Sequence, residues 1–426
     1  MSSVENIEPE PEYRPNDPYG LLMERIDYHI EHPPGNDQLI PVVLRGFKQV
    51  HDESPDLRDD IEHMAMHRKV TINPADRPGL KVREAAEIVR AGVQWAVNKT
   101  DRNFLKPGYD ISEEQVAQGL RRMLNDPELE GTFRVLINQR RIATNPPERA
   151  AAIDPYLQAI HEITGEKLSV LFVGCSIGLI ERQLLLKHNP RFKLGQIATK
   201  GGGIESPVIR KINEEILPRN INPIVDKFVG IDIFPPDDPE TYLWGYLCRR
   251  PQELVEGTVV RRMRELKAAY IPEKPHDPDK PDHINYTLYL MRANLLDDDD
   301  NREFGAKYPP GTFNVVFYSH MLYQLMPGEI KRQLELARHY GTPDVQIGIL
   351  DHARIKDGDL SFIENWDTKH WENRLIHIDA AAPDSAPHIF QKHKDGRCQQ
   401  VVHHGGPLTI AGVATTPREA ILNIRA

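Results

Sequence analysis

The sequence predicts an α/β chain: a mostly parallel sheet finished by an antiparallel hairpin and preceded by a helical N-terminal domain. Three observations predict it. Up to about residue 138, apolar residues recur at steps of three and four, the spacing of amphipathic helices. From Leu168 onward short apolar runs alternate with helical segments, the pattern of a parallel sheet covered on both faces. Near the end, HIFQKHKDGRCQQVVHH places Asp395-Gly396, a good turn dipeptide, between two β-like runs.

The elements follow in order. MSSVENIEPEPEYRP is acidic and proline-rich with no apolar core, so residues 1–17 are expected to be a disordered tail rather than a targeting segment or anchor. YGLLMERIDYHI, LIPVVLRGFKQV, VREAAEIVRAGVQWAV and EEQVAQGLRRML are the helices of a domain over 18–140, punctuated by KPG and NDP. The sheet domain is expected over 141–426. IDPYLQAIHEITG is a helix closed by Gly165, KLSVLFVG a buried strand, LIERQLLLKH a helix and KFVGIDIF a second buried strand. A helical insertion over 239–283 carries YLWGYL and VVRRMRELKAAY and ends in the proline-rich IPEKPHDPDKPDH. YTLYLMRANLL, FNVVFYSHML and VQIGILDHA are the next strands, with GEIKRQLELARHY a helix between the last two. No internal repeat is present.

Bulk composition narrows the class. The chain has 426 residues, 39% hydrophobic and 27% charged, enough for two or three domains with their own cores. Cys175, Cys248 and Cys398 are far apart and odd in number, which reads as reduced thiols in a cytoplasmic protein. A net charge of -10 argues against broad binding to nucleic acid. RRMRELK is a local basic run whose ordinary reading is a solvated helix face. No apolar run approaches the ~20 residues of a membrane span.

The stretch with chemical content is LFVGCSIGLIERQLLL: an apolar strand, a glycine turn and a helix. In a doubly wound sheet, ligands sit beyond the carboxyl ends of the strands near the reversal of strand order. Glycine lets backbone approach the ligand there, and an acid ending the second strand can accept protons from both ribose hydroxyls. Gly174, Cys175, Ser176 and Gly178, followed by Asp232 and Ile233, have the right types and order. The plain alternative is a tight strand–helix turn. A nicotinamide fingerprint is not matched: Ser176 stands at the second glycine, and Asp232 lies far beyond the usual ~20 residues. No GxxxxGK[ST] occurs. GCSIG also has the GxSxG spacing of a hydrolase elbow, for which His352, His377, His403 and His404 are available partners.

A sheet of this kind finished by an antiparallel hairpin is the arrangement of class I methyltransferases. TNPPERAAAIDPYLQAI with LFVGCSIGL, and GIDIFPPDDPETYLWGYLCRRPQELVEGTVVRRMRELKAA, resemble an uncharacterised, largely actinobacterial family. Asp232, Pro235, Asp238, Pro239, Glu240, Trp244, Arg262, Leu266 and Ala269 fall on its pattern, and VVFYSHML resembles its fourth-strand segment. The resemblance covers roughly 140–355. It implies a Rossmann-like S-adenosylmethionine methyltransferase fold with a helical N-terminal domain. S-adenosyl-L-methionine is then the expected cofactor, held by Gly174, Cys175, Ser176, Gly178, Asp232, Ile233, Asn294 and Leu295. Where the family carries an acid two residues before the first glycine, this chain has Phe172.

Ser319 and His320 end the fourth strand and are the expected catalytic pair, His320 as a base if the methyl acceptor is protonated. Tyr318, Tyr323 and Asp351 are weaker candidates of the same kind. His63 and His67 share one helix face but lack the glutamate of an HExxH site, and Asp297 to Asp300 read as a solvated turn, so no metal is expected. The function expected is methyl transfer to a small or medium-sized molecule, with the helical domain and the insertion covering the substrate side. The alternatives are a non-catalytic binding or scaffold protein of the same fold and a GxSxG hydrolase.

Overall fold

The computed structural model describes residues 17–71, 80–104, 106–142, 147–186, 224–236, 238–257, 288–319, 321–322, 325, 327–351, 353–356, 359–362, 371–379, 388–393, 398–402 and 409–410. Two compact units emerge, residues 1–144 with 242–263, and residues 145–241 with 264–426.

The first unit is helical. Its helices are α1 (Pro18–Glu31), α2 (Leu39–Glu53), α3 (Pro55–His67), α4 (Val82–Thr100), α5 (Glu113–Leu124) and α6 (Pro127–Gln139). Local chemistry sets their starts. The Asp17 carboxylate accepts from the Gly20 N–H at 2.7 Å, Asp126 accepts from Glu128 and Leu129, and Ser112 and Gln115 form a reciprocal capping box. Proline opens α1, α3 and α6, where its missing N–H costs nothing. The apolar stripes meet in one core that includes Leu22, Phe47, Ile88, Trp95, Leu120 and Phe133.

Trp244, Leu247, Cys248 and Leu254, from α9 (Pro239–Leu247) and α10 (Pro251–Val255), join the same core. The segment 239–283, expected to be an insertion of the sheet domain, therefore gives residues 242–257 to the helical unit. The reason is polar as well as apolar. Arg90 is buried and donates to the carbonyls of Cys248 and Arg249, and Gln94 donates to that of Leu247. Those carbonyls end a helix and have no intrahelical donor of their own. Residues 258–287, including RRMRELK and the proline-rich loop, lie outside the described residues.

In the second unit come α7 (Pro147–Thr164), β1 (Leu168–Val173), α8 (Leu179–Leu186), β2 (Val225–Asp232), β3 (Leu288–Arg292), α11 (Asp298–Lys307), β4 (Phe313–Ser319), α12 (Pro327–Tyr340) and β5 (Gly341–Asp351). The five strands pair in the order β3-β2-β1-β4-β5, every pair parallel. The chain steps outward from β1 to β3, then returns to β4 on the other side, so strand order reverses between β1 and β4. One face of the sheet, with Val173, Ile231, Val316 and Ile347, packs on Phe304, Leu336 and Tyr340 of α11 and α12. On β1, Phe172 stacks on Phe228 at 6.1 Å and Phe317 at 5.4 Å, and Tyr156 of α7 meets Phe317 edge-on.

The expectation of a parallel sheet finished by a single antiparallel hairpin needs correction. The Rossmann-like part is all parallel, and the sheet does not close on a two-stranded hairpin. It extends through β8 (Trp371–Asp379), β9 (His388–His393), β10 (Cys398–Val402) and β11 (Thr409–Ile410), each antiparallel to its neighbour, with β8 laid on β5. A parallel step needs a long crossover, whereas consecutive short strands can return directly. Between β5 and β8, β6 (Ala353–Lys356) and β7 (Asp359–Phe362) form a separate ribbon. The turn residues Asp395 and Gly396 lie outside the described residues. No helix among the described residues is long and apolar enough to cross a membrane.

Candidate functional site

The turn after β1 alternates conformations: Gly174 has φ +81°, Ser176 φ +53° and Gly178 φ +65°. Gly174 and Cys175 both donate their N–H to the Ile231 carbonyl, at 2.9 and 3.0 Å, tying the turn to β2. The Gly178 N–H closes back on the Cys175 carbonyl at 2.9 Å, and Arg182 Nη1 donates to Ile177 at 2.5 Å. A left-handed non-glycine residue costs about 1–3 kcal/mol and persists only where its surroundings hold it. Asp232 does the holding. Its Oδ2 accepts from the Ser176 N–H at 2.8 Å and its Oδ1 from the Phe234 N–H at 3.2 Å. A carboxylate oxygen can accept more than one hydrogen bond.

The glycines also admit neighbours. A Cβ at Gly178 would stand 2.4 Å from Cδ1 of Leu290 on β3, so that position serves close packing. A Cβ at Gly174 would stand 2.9 Å from Cβ of Met321, two residues beyond β4. The ends of β1 and β4 thus meet at the reversal of the sheet, where ligands of such folds bind. Ser319, the last residue of β4, is buried, and its Oγ has no hydrogen-bond partner among the described residues. Tyr318 is committed elsewhere: its hydroxyl donates to the Gln333 carbonyl at 2.9 Å, and burial pushes its phenol far above the usual range.

Ile233 is 49% exposed beside Asp232, an unusual exposure for a large apolar side chain. The Ala293 N–H donates to the Asp232 carbonyl at 2.9 Å, bringing the end of β3 alongside. Asn294 follows, its N–H on the Asp300 carboxylate and its Oδ1 accepting from Leu296. Leu295 packs into the core. The acid run at 297–300 builds the start of α11, with Asp297 accepting from Asp299 and Asp300. His63 and His67 stack ring on ring at 5.7 Å. Among the described residues no group of three metal-ligating side chains occurs.

The structure therefore ties Gly174 and Cys175 to Ile231 and Ser176 to Asp232 by hydrogen bonds, closes the turn from Gly178 onto Cys175, keeps Ile233 exposed next to Asp232, holds Asn294 at the end of β3, and leaves Leu295 in the core. His320, Tyr323, His352, His403 and His404 lie outside the described residues, as do the three glycines at 201–203.

Sequence reasoning missed Glu181. It lies in the first turn of α8, three residues past Gly178, fully buried, and neither carboxylate oxygen has a hydrogen-bond partner among the described residues. Burial pushes its carboxyl up to about 8. Its own backbone N–H, whose geometry falls short of a bond, and the Arg182 guanidinium oppose that rise, and the Asp232 charge adds to it. Glu181, Arg182 and Gln183 interrupt LIERQLLL with three polar residues, all buried. Helical periodicity reads such residues as a solvent face, which hid the signal.

No protein-family model matches the chain, and no curated protein matches it significantly. The resemblance to a bacterial family thus rests on its motifs. Among solved structures the chain is similar to a SAM dependent methyltransferase from Aquifex aeolicus, at 11% identity over 50% of this chain and 77% of that one, TM-score 0.23. It is similar to an S-adenosylmethionine dependent methyltransferase from Mesorhizobium loti, at 12% identity over 52% and 66%, TM-score 0.23. A third is the trans-methyltransferase CalH in complex with SAH, at 14% identity over 63% and 71%, TM-score 0.25. Likeness at this level carries no argument about this chain, and the α/β fold stands on the strand order itself.

Proposed function

We propose that the sheet unit binds S-adenosylmethionine beyond the ends of β1 and β2 and transfers its methyl group to a small or medium-sized molecule. One observation carries the reading: at the reversal of the sheet, Asp232 holds the left-handed Ser176 turn by a 2.8 Å bond. Two backbone N–H groups orient that carboxylate, and its acceptor capacity suits the two hydroxyls of a ribose. Half-exposed Ile233 offers apolar surface for a base. Phe172, sealed in an aromatic layer, offers no carboxylate to the rest of the cofactor.

When bound, the cofactor supplies an electrophilic methyl group on a sulfonium. The work left to the chain is to hold donor and acceptor close and in line. Ser319 ends β4 on the other side of the reversal; it and His320, next in the sequence, are proposed to meet the acceptor, with His320 taking its proton where it has one.

Titration calorimetry with S-adenosylhomocysteine tests the reading. Hydrogen bonds to a charged group are worth ~1.5–3 kcal/mol, so Asp232→Ala should weaken binding roughly 10- to 100-fold. Asp232→Asn should cost less, since its amide keeps one acceptor. No heat from the wild type at millimolar ligand would sink the reading.

Two other readings each have one observation behind them. The burial of Phe172 favours a non-catalytic binding module, which would bind S-adenosylhomocysteine but methylate nothing. The left-handed Ser176 favours a hydrolase elbow. Covalent labelling of Ser176 by a fluorophosphonate, abolished in Ser176→Ala, would establish that reading in place of methyl transfer.

A further inference from the structure

We infer that Glu181 is the subsite for a cationic group, an ammonium, of the ligand held at the glycine turn. The inference rests on the nucleoside reading above and adds the part of the ligand that Asp232 does not address.

Buried polar atoms almost always have partners, and each exception requires an explanation. Glu181 is an extreme exception, since both carboxylate oxygens are buried and neither is bonded among the described residues. Among the described residues no cation stands at bonding distance from it. Arg182, next on the same helix, sends Nη1 to the Ile177 carbonyl. Asp232, at the end of β2, is an acid too, and near enough for its charge to act on Glu181. Gln183 is buried with an unpartnered Oε1 and carries no charge.

Two acids thus serve one turn, and they are solvated differently. Two backbone N–H groups donate to the Asp232 carboxylate. At Glu181 burial outweighs the Arg182 guanidinium and pushes the carboxyl up to about 8, so its resting form at neutral pH carries a proton. An ammonium entering beside it would stabilise the carboxylate, and the carboxyl proton would leave to solvent. The ammonium keeps its own protons, so binding near pH 7 releases close to one proton.

The experiment is calorimetry on the full chain with two probes. S-adenosylhomocysteine carries the ammonium, and 5′-methylthioadenosine keeps the nucleoside and sulfur but lacks the amino-acid end. In the wild type S-adenosylhomocysteine should bind at least tenfold tighter. Glu181→Gln should lower its affinity to that of methylthioadenosine, whose own affinity should not change. Titrations at pH 7 in buffers of different ionisation heat should show nearly one proton released by the wild type and none by the variant. A second measurement needs no variant: the wild-type preference for S-adenosylhomocysteine should shrink about tenfold per unit as pH falls below 7. If methylthioadenosine binds but the preference is flat with pH, or survives in Glu181→Gln with its proton release, the inference falls alone. If neither probe binds the wild type, the nucleoside reading falls and takes the inference with it.

Discussion

Replacing Glu181 by Gln should make the folded chain less sensitive to a rise in pH between 4.5 and 8. The carboxyl titrates near 4.5 in an open chain and is pushed up to about 8 in the fold. Below pH 4.5 both states hold the proton, and the stability tied to protonated Glu181 is fully present. Between 4.5 and 8 the unfolded chain gives up a proton that the folded chain keeps, so stability falls as pH rises, at up to ~1.4 kcal/mol per pH unit. Above 8 both states are ionised and the loss is complete, with an upper bound of ~5 kcal/mol. Water entry and local relaxation reduce such penalties, so a measured loss of ~2–4 kcal/mol is expected. Glutamine keeps the shape and cannot ionise. The difference in unfolding free energy between Glu181→Gln and wild type should therefore move in favour of the variant by ~2–4 kcal/mol from pH 4.5 to pH 8, then level off. Other titrating groups cancel in that difference. Urea unfolding of both proteins, followed by far-UV circular dichroism at half-unit steps from pH 4.5 to 9, measures it. A difference that stays constant with pH would refute the reasoning, because it would mean that Glu181 ionises in the fold as it does in the open chain.

Gly178→Ala should cost at least ~2 kcal/mol, since the new methyl meets Leu290 at a left-handed φ; thermal melts should show Leu290→Ala relieving only the contact part. Arg90→Met should cost ~3–5 kcal/mol, because it strands the buried carbonyls of Cys248 and Arg249 and leaves Glu87 without its 2.6 Å ion pair. A loss under 1 kcal/mol in chemical denaturation would show that water replaces these bonds. Tyr318→Phe should lower stability by ~1 kcal/mol without altering ligand affinity, as its hydroxyl serves the Gln333 carbonyl.

What the sequence determined by itself is local. Asp17-Pro18, Asp126-Pro127 and Ser112 with Gln115 start helices because side chain and backbone within three residues settle the bond. The run LSVLFV is a central strand because it is apolar on both faces, and the glycines after it mark a turn because left-handed φ excludes most other residues. Asp232 was legible as the acid ending the next strand. Its bond to the Ser176 N–H was not, because that partner is 56 residues away and exists only once β1 and β2 lie side by side. Nor was the allegiance of residues 242–257, drawn to the helical unit by Arg90 across 158 residues of chain. Of the antiparallel extension beyond β5, the run that forms β9 and β10 was legible as a hairpin, but the place of β8 against β5 was not, because period-two patterns name a strand without naming its neighbour. Glu181 shows the limit most clearly: helical spacing marks it as polar, but only the tertiary structure decides that this face of α8 is dry, and a carboxylate's chemistry depends on whether water reaches it.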